Sequence, residues 1–557
     1  MPLPTPFLKK VLGVVSSRSS PASRRLLSRP PPSRFRHARV SPVATVVGGA
    51  AAVTGVAAYL LQPSTASKDH KNATIFVPQI KPLKRNGDAA ADNSNSNIVQ
   101  LQSPVKALDV ADANEVLRRE ERSKLFDAGN GQVGRCDLVR VPSNSPVEDE
   151  FVTGTQAGPG GNPWTFWGVF DGHAGWATSV LLREALVPMV SDHLERLPAH
   201  ATSPQISTGI SQAFLAVDDA INRSALAAMN DPEAHPGSAQ VVSAIAPAIA
   251  GSCALLAAYD PVSTTLRVAC TGDSRAVLGR AINHDGSASC KPRDKYAAVA
   301  LSRDQTGKND DEYARLVAAH PGEAETMINR ESGRLLGLAV TRAFGDHRWK
   351  WREGDITEAQ QKYWSSAPRP NSKSPPYLTA EPVVEETRIQ VGTKRPTSPA
   401  PTPAAPASNP QGGEPQQQED HHRRGDFLIL ASDGFWDHIS NEDAVECVAR
   451  WLDAKRADAL RGTPADALKK MKKMNPRHAD DADDDEHWWL DEGRYVEWRA
   501  TPEFFVAEDD NAATHLVRNA FGGARRSLFC GVVTAYPPIS RNVRDDTTVQ
   551  VVFFGDV

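Results

Sequence analysis

Four short apolar runs, each with an aspartate at one end, constrain this chain more than any other feature. Trp164–Phe170 runs straight into Asp171-Gly172-His173-Ala174-Gly175, and Asp426–Ser432 into Asp433-Gly434. Leu266–Cys270 leads to Thr271-Gly272-Asp273, and Asp545-Asp546 stands just before the last run, Thr547–Phe554. A single Asp-Gly is usually only a turn. Four such sites, joined by Glu148-Asp149, are harder to explain as turns alone. Buried carboxylates without cationic partners are costly, but carboxylates are the natural ligands of hard divalent cations. Aspartates with one histidine, His173, and no cysteine point to Mg²⁺ or Mn²⁺ rather than to structural zinc.

Cys253–Tyr259 and Ala276–Gly279 read as further strands. Apolar residues at helical spacing mark Trp176–Val190, Asn441–Leu452 and Asn511–Phe521. Ser440 with Asp443 makes a capping box at the start of the second. Strands come in consecutive pairs rather than alternating strictly with helices. That pattern predicts an α+β fold with antiparallel sheets, not a doubly wound parallel sheet. Gly129-Asn130-Gly131-Gln132-Val133-Gly134 matches G-x-G-x-x-G. A dinucleotide site needs a strand before it and a helix after it. Here a charged helical segment is expected before it and a strand, Asp137–Val141, after it, so it reads as a turn.

The chain has 557 residues, enough for one large domain with tails or for two domains. Six cysteines without a C-x-x-C pair argue against a disulfide scaffold. Residues 1–67 carry nine Lys and Arg and no Asp or Glu; set against the net charge of −4, they leave −13 for the rest. An acidic body is a poor nucleic-acid binder, because phosphate backbones need clustered cations, and it suits a protein that holds divalent cations. Residues 1–42 have the Arg/Ser-rich, acid-poor composition of a mitochondrial presequence. The 19 uncharged residues of 43–61 would extend about 28 Å as a helix, enough for a single membrane anchor. Residues 62–105 read as a linker, and 106–557 as the globular domain. Two insertions are expected within it: the Pro/Gln-rich 391–425, and 454–500 with its acidic run Asp480–Glu486. That run lacks the glycine and closing glutamate of a calcium loop.

Five ordered motifs carry a family resemblance: V-F-D-G-H-A-G at 169–175, C-T-G-D-S-R at 270–275, A-V-T-R-A-F-G-D at 339–346, A-S-D-G-F-W-D at 431–437 and R-D-D-T-T-V at 544–549. With them the chain resembles the PPM-type (type 2C) metal-dependent protein serine/threonine phosphatases. The segments 145–149, 333–346, 375–382 and 513–520 are most like the pyruvate dehydrogenase phosphatase branch of that family.

The resemblance implies two packed antiparallel sheets flanked by helices. Asp171 would bridge two Mg²⁺ or Mn²⁺ ions, with Asp433 and Asp545 completing one site. Gly172 would ligate through its carbonyl, and Glu148 and Asp149 would hold metal-bound waters. Asp273, with Asp433, would serve a third, weaker ion. His173 would protonate the leaving serine or threonine oxygen after in-line attack by a metal-bridging hydroxide. Many members of the family carry an arginine four residues before the metal-site glutamate, where it grips the substrate phosphate. Here that position is Asn144, as it tends to be in the dehydrogenase-phosphatase branch.

The branch implies a phosphoprotein substrate, the α subunit of pyruvate dehydrogenase, and a place in the mitochondrial matrix or inner membrane. A span at 43–61 with its Arg-rich flank in the matrix would put the catalytic domain on the other side of the inner membrane from that substrate. Two other classes compete. A non-catalytic module of this family, anchored in the inner membrane, would be expected to lose metal aspartates, and Asp171, Asp433 and Asp545 are all present. A thiol phosphatase needs Cys-x5-Arg, and none of the six cysteines has an arginine six residues on.

Overall fold

The computed structural model describes residues 103, 105–282, 295–393, 424–461, 489–491 and 496–555. The presequence-like segment 1–42, the candidate span 43–61 and nearly all of the linker lie outside the described residues, as do 394–423 and 462–488. No helix among the described residues is long and apolar enough to cross a membrane. One compact unit comprises Ser103–Val557.

Eleven strands build two sheets. In chain order they are β1 (Arg122–Gly129), β2 (Gln132–Val141), β3 (Glu150–Ala157), β4 (Pro163–Phe170), β5 (Ala254–Asp260), β6 (Thr265–Thr271), β7 (Arg275–Ala281), β8 (Tyr296–Ala300), β9 (Val383–Arg388), β10 (Phe427–Ala431) and β11 (Thr547–Phe553). The first sheet has the order β1-β2-β11-β10-β7-β8, the second β9-β6-β5-β4-β3, and every pairing in both is antiparallel.

Side-chain alternation explains why the sheets stack. Along β10, Leu428 and Leu430 join a cluster with Leu255, Val268 and Trp167 of the second sheet. Phe427, Ile429 and Ala431 join a cluster on the other face with helical residues Val448, Trp451 and Leu516. A strand points successive residues to opposite faces, so one apolar run serves two cores. The outer helices on the first sheet are α1 (Val110–Arg118), α5 (Asn441–Arg461), α6 (Ala512–Ala520) and α7 (Arg526–Thr534); those on the second are α2 (Ala177–Glu195), α3 (Ser203–Met229) and α4 (Ala239–Ile249). The protein is thus an α-β-β-α sandwich. Ser440 caps α5 as expected: its Oγ accepts the Asp443 amide at 3.1 Å.

Two expectations need correction. The stretch before Gly129 is not helical throughout. Helix α1 ends at Arg118, and strand β1 follows as an exposed edge, held by pairing with β2 rather than by burial. Gly129–Gly134 is still a turn, now the tip of the β1–β2 hairpin, and no helix follows it. The segment 454–500, expected as an insertion, is part of the domain at both its edges. Helix α5 continues to Arg461, and Trp498 is buried in the core, stacked on His438 at 4.1 Å with its indole N–H donating to Ala520. The acidic run within it lies outside the described residues.

Candidate metal centre

The carboxylates stand where the sheets' strands end. Asp171 follows β4, Asp273 lies between β6 and β7, Asp433 opens a short helix (Asp433–Trp436) after β10, and Asp545 precedes β11. Because β4 and β6 belong to one sheet and β10 and β11 to the other, the sandwich draws all four to one edge. Carboxylate oxygens of Asp171, Asp273 and Asp433 lie within 4.8 Å of one another. Two glycines make the approach close enough. A Cβ on Gly172 would collide with the Glu148 carbonyl, and one on Gly434 with the Asp546 carbonyl.

Glu148 and Asp149 come from the loop between β2 and β3. Asp149 is fully buried; its Oδ2 accepts the Ser432 hydroxyl at 2.8 Å, and its Oδ1 has no partner. Asp171 Oδ2 is likewise buried and unpartnered. Such atoms cost free energy unless something satisfies them. Burial, then the charge of Asp546, pushes Asp149 up to about 8. Burial and the neighbouring carboxylates also raise Asp171 and Asp433 well above the carboxylate range. Orphaned oxygens in a cluster too crowded to ionise together fit divalent cations, which take oxygen ligands and supply the missing charge.

Glu148 sits at the rim. Its Oε1 accepts the Gly175 amide at 2.7 Å, and its Oε2 accepts Asn144 Nδ2 at 3.1 Å and Arg541 Nη1 at 3.0 Å. Asp546 differs from its neighbour Asp545. Both its oxygens are occupied, by the amides of Ser143, Asn144 and Glu148 and by Asn144 Nδ2, so it ties the 143–148 loop to β11.

His173 lies two residues beyond Asp171, and its Nε2 is 2.7 Å from Asp346 Oδ2. Burial opposes a charge on the ring, but the Asp346 carboxylate outweighs it and raises the imidazole. Asp346 was not among the expected site residues, although it ends the motif A-V-T-R-A-F-G-D. Asp437 was also missed. Its side chain is exposed, yet partial loss of water around the carboxyl, then the charges of Asp273 and Asp545, pushes it up to about 6. Its signal was the second aspartate of A-S-D-G-F-W-D, one helical turn after Asp433.

This sandwich, with an acidic cluster at the strand ends and a histidine beside it, has the arrangement of a metal-dependent hydrolase. The family model Protein phosphatase 2C matches residues 143–395 and 404–475. A protein phosphatase 2C homolog of Schizosaccharomyces pombe is 37% identical over 447 residues, covering 79% of this chain and 84% of the relative. The mitochondrial [pyruvate dehydrogenase [acetyl-transferring]]-phosphatase 1 of Saccharomyces cerevisiae is 32% identical over 509 residues, covering 87% and 78%. The protein of that name from Homo sapiens is 27% identical over 517 residues, covering 79% and 82%. The chain belongs to the protein phosphatase 2C family and is a protein serine/threonine phosphatase of that metal-dependent family.

Proposed function

We propose that the chain dephosphorylates phosphoserine or phosphothreonine on the α subunit of pyruvate dehydrogenase in mitochondria, with Mg²⁺ or Mn²⁺ at the acidic edge. The names of two relatives and the presequence-like residues 1–42 support the substrate and the compartment. The orphaned buried oxygens of Asp149 and Asp171 carry the metal reading. Asp171, Asp433 and Asp545 would hold two ions, helped by the Gly172 carbonyl, with Glu148 and Asp149 at the water-bearing positions. Asp273 and Asp433 would serve a third.

Divalent cations there supply positive charge against the phosphomonoester dianion and bring the pKa of water toward neutrality. The protein's own share is positional. The stacked sheets fix the carboxylates, and the glycines after Asp171 and Asp433 let the backbones close. Asp346 holds His173 by Nε2 and favours the protonated ring. That ring is placed to give a proton to a departing alkoxide.

The reading is tested by phosphate release from the phosphorylated α subunit, with and without Mn²⁺. Mn²⁺-dependent release insensitive to thiol reagents is expected; release without any divalent cation would overturn it. Protease protection in intact and ruptured mitochondria then locates the catalytic domain. Protection that persists until the inner membrane is breached is expected for access to a matrix substrate.

A further inference from the structure

A metal cluster alone leaves the substrate's phosphate without a directional partner from the protein. The residue four before Glu148, Asn144, does not supply one. Its Nδ2 is already shared between Glu148 Oε2 and Asp546 Oδ2. Arg541 is the cation at the mouth of the site. Its Nη1 donates to Glu148 Oε2 and its Nη2 to Asp545 Oδ2, each at 3.0 Å, and 44% of its side chain is exposed. Among the described residues no other Lys or Arg forms an ion pair with Glu148, Asp149, Asp171, Asp273, Asp433 or Asp545. The nearby Arg275 is bound to Asp304 at 2.6 Å and to Asn441 at 2.9 Å.

The turn that carries Arg541 is firmly held. Ser540 is buried and its hydroxyl donates to the Ser143 carbonyl. Arg544 donates to the carbonyls of Val532 at 2.8 Å and Pro142 at 2.9 Å. The helix Ser540–Val543 is thereby pinned to the same loop that presents Glu148. Its half-exposed arginine therefore has a fixed base and a guanidinium laid across Glu148 and Asp545.

We propose that Arg541 is the substrate-binding guanidinium: the fork of N–H groups that here faces Glu148 and Asp545 takes the phosphoryl oxygens of phosphoserine or phosphothreonine. This rests on the acidic edge being the metal-dependent hydrolytic centre. Carboxylates that share their charge with divalent cations hold a guanidinium less tightly. A planar guanidinium matches two phosphate oxygens as well as it matches carboxylates. The choice of partner is then set by which anion is the less neutralised.

The test compares the full chain with Arg541→Gln and Arg541→Lys. A charge-assisted contact of this kind corresponds to about a 10–100-fold change in affinity. For Arg541→Gln, KM for a phosphoserine peptide should rise by about that factor, with kcat within a few-fold of wild type. Inorganic phosphate, titrated calorimetrically into Mn²⁺-loaded protein, should weaken in parallel. Arg541→Lys should recover part of the loss, because it keeps the charge without the fork. Mn²⁺ affinity, measured by calorimetry without substrate, should stay the same or tighten, since a competitor for the carboxylates has gone. Unchanged KM and phosphate affinity in Arg541→Gln would overturn the proposal. So would weaker Mn²⁺ binding with activity restored by excess Mn²⁺, which would make Arg541 a support for the ligands. A wild-type protein that binds Mn²⁺ but releases no phosphate would instead sink the hydrolytic reading, and phosphate calorimetry would still decide the role of Arg541.

Discussion

His173 Nε2 meets Asp346 Oδ2 at 2.7 Å, joining the strand-end turn after β4 to a segment far along the chain. Asp346 is buried and adopts a left-handed backbone (φ 53°), with its amide donating to the Ala250 carbonyl at 3.0 Å. Aspartate tolerates that conformation better than most residues. The contact holds the imidazole in orientation and favours its charged form, which an acid needs.

Removing His173 should therefore discriminate between leaving groups. A serine alkoxide leaves poorly and needs a proton, and general acid help is typically about 10²–10⁴-fold. Nitrophenolate leaves without one. His173→Ala should lose activity steeply on phosphoserine peptides and far less on nitrophenyl phosphate. Asp346→Asn should show the same bias more weakly. Equal losses on both substrates, repaired by extra Mn²⁺, would make the histidine a prop for the metal site.

Asp171→Ala and Asp433→Ala should each abolish hydrolysis of every phosphoester. Their melting behaviour gives an independent measure. With chelator present, removing one of several crowded, half-buried carboxylates should leave stability equal to wild type or higher. With Mn²⁺, wild type should gain stability by binding and the variants should gain little. A Mn²⁺-induced shift as large in the variants as in wild type would refute the ligand assignment.

The strand ends were legible because each carries its own signal: an apolar run with an aspartate at or near one end, followed by glycine at Asp171 and Asp433. The α+β class followed from strands arriving in pairs. Asp346 and Asp437 were not legible in the same way. Asp346 is made relevant by a side chain 173 residues away, and no local spacing announces a tertiary contact. Strand β1 was misread because an exposed edge strand has no apolar alternation of its own and depends on its partner. Trp498 was hidden because it follows a polar stretch, although its core contacts are made with Ala520 and His438.

Arg518 and Asp509 make a further prediction. The guanidinium is fully buried and donates to both Asp509 oxygens, at 2.6 and 2.8 Å, and to Asn114 at 2.6 Å. Breaking a buried pair so that one charge is stranded costs about 3–5 kcal/mol; here Arg118 still pairs with Asp509 at 2.6 Å, so the loss should be smaller than that. Arg518→Ala should lower the urea midpoint, while exposed Arg196→Ala, paired with Asp192 on the surface of α2, should change it little. Similar midpoints for the two variants would contradict this.

Deleting 394–423 should leave the fold and small-substrate turnover nearly unchanged. Gly392 and Gly425 stand so close that a Cβ on Gly425 would strike the Gly392 backbone. The segment thus leaves and rejoins the domain at neighbouring points, which a short Gly/Ser linker can bridge. Its Pro/Gln-rich composition has little to bury. A fall of more than a few degrees in Tm would show that it packs against the domain.

Acid should act through two histidines, one buried and one half-buried. Burial lowers His515 to about 4, its Nε2 lying 3.1 Å from the Cys447 carbonyl, and lowers His438, stacked on Trp498, to about 4. In the unfolded chain both titrate near ~6.5. Above that pH both states are neutral and nothing is lost. As pH falls from about 6.5 toward 4 the unfolded chain takes up protons that the native state refuses, so stability falls. Below about 4 the native rings protonate too and the effect levels off. The crowded carboxylates of the metal edge, raised by burial and by one another, have the opposite sign, so the comparison is made in Mn²⁺ and by difference. Wild type and His515→Gln are unfolded in urea at pH 7, 6 and 5. The variant's stability should fall less steeply with acid than wild type's, whatever its level at pH 7. Parallel profiles would mean that His515 titrates alike in both states.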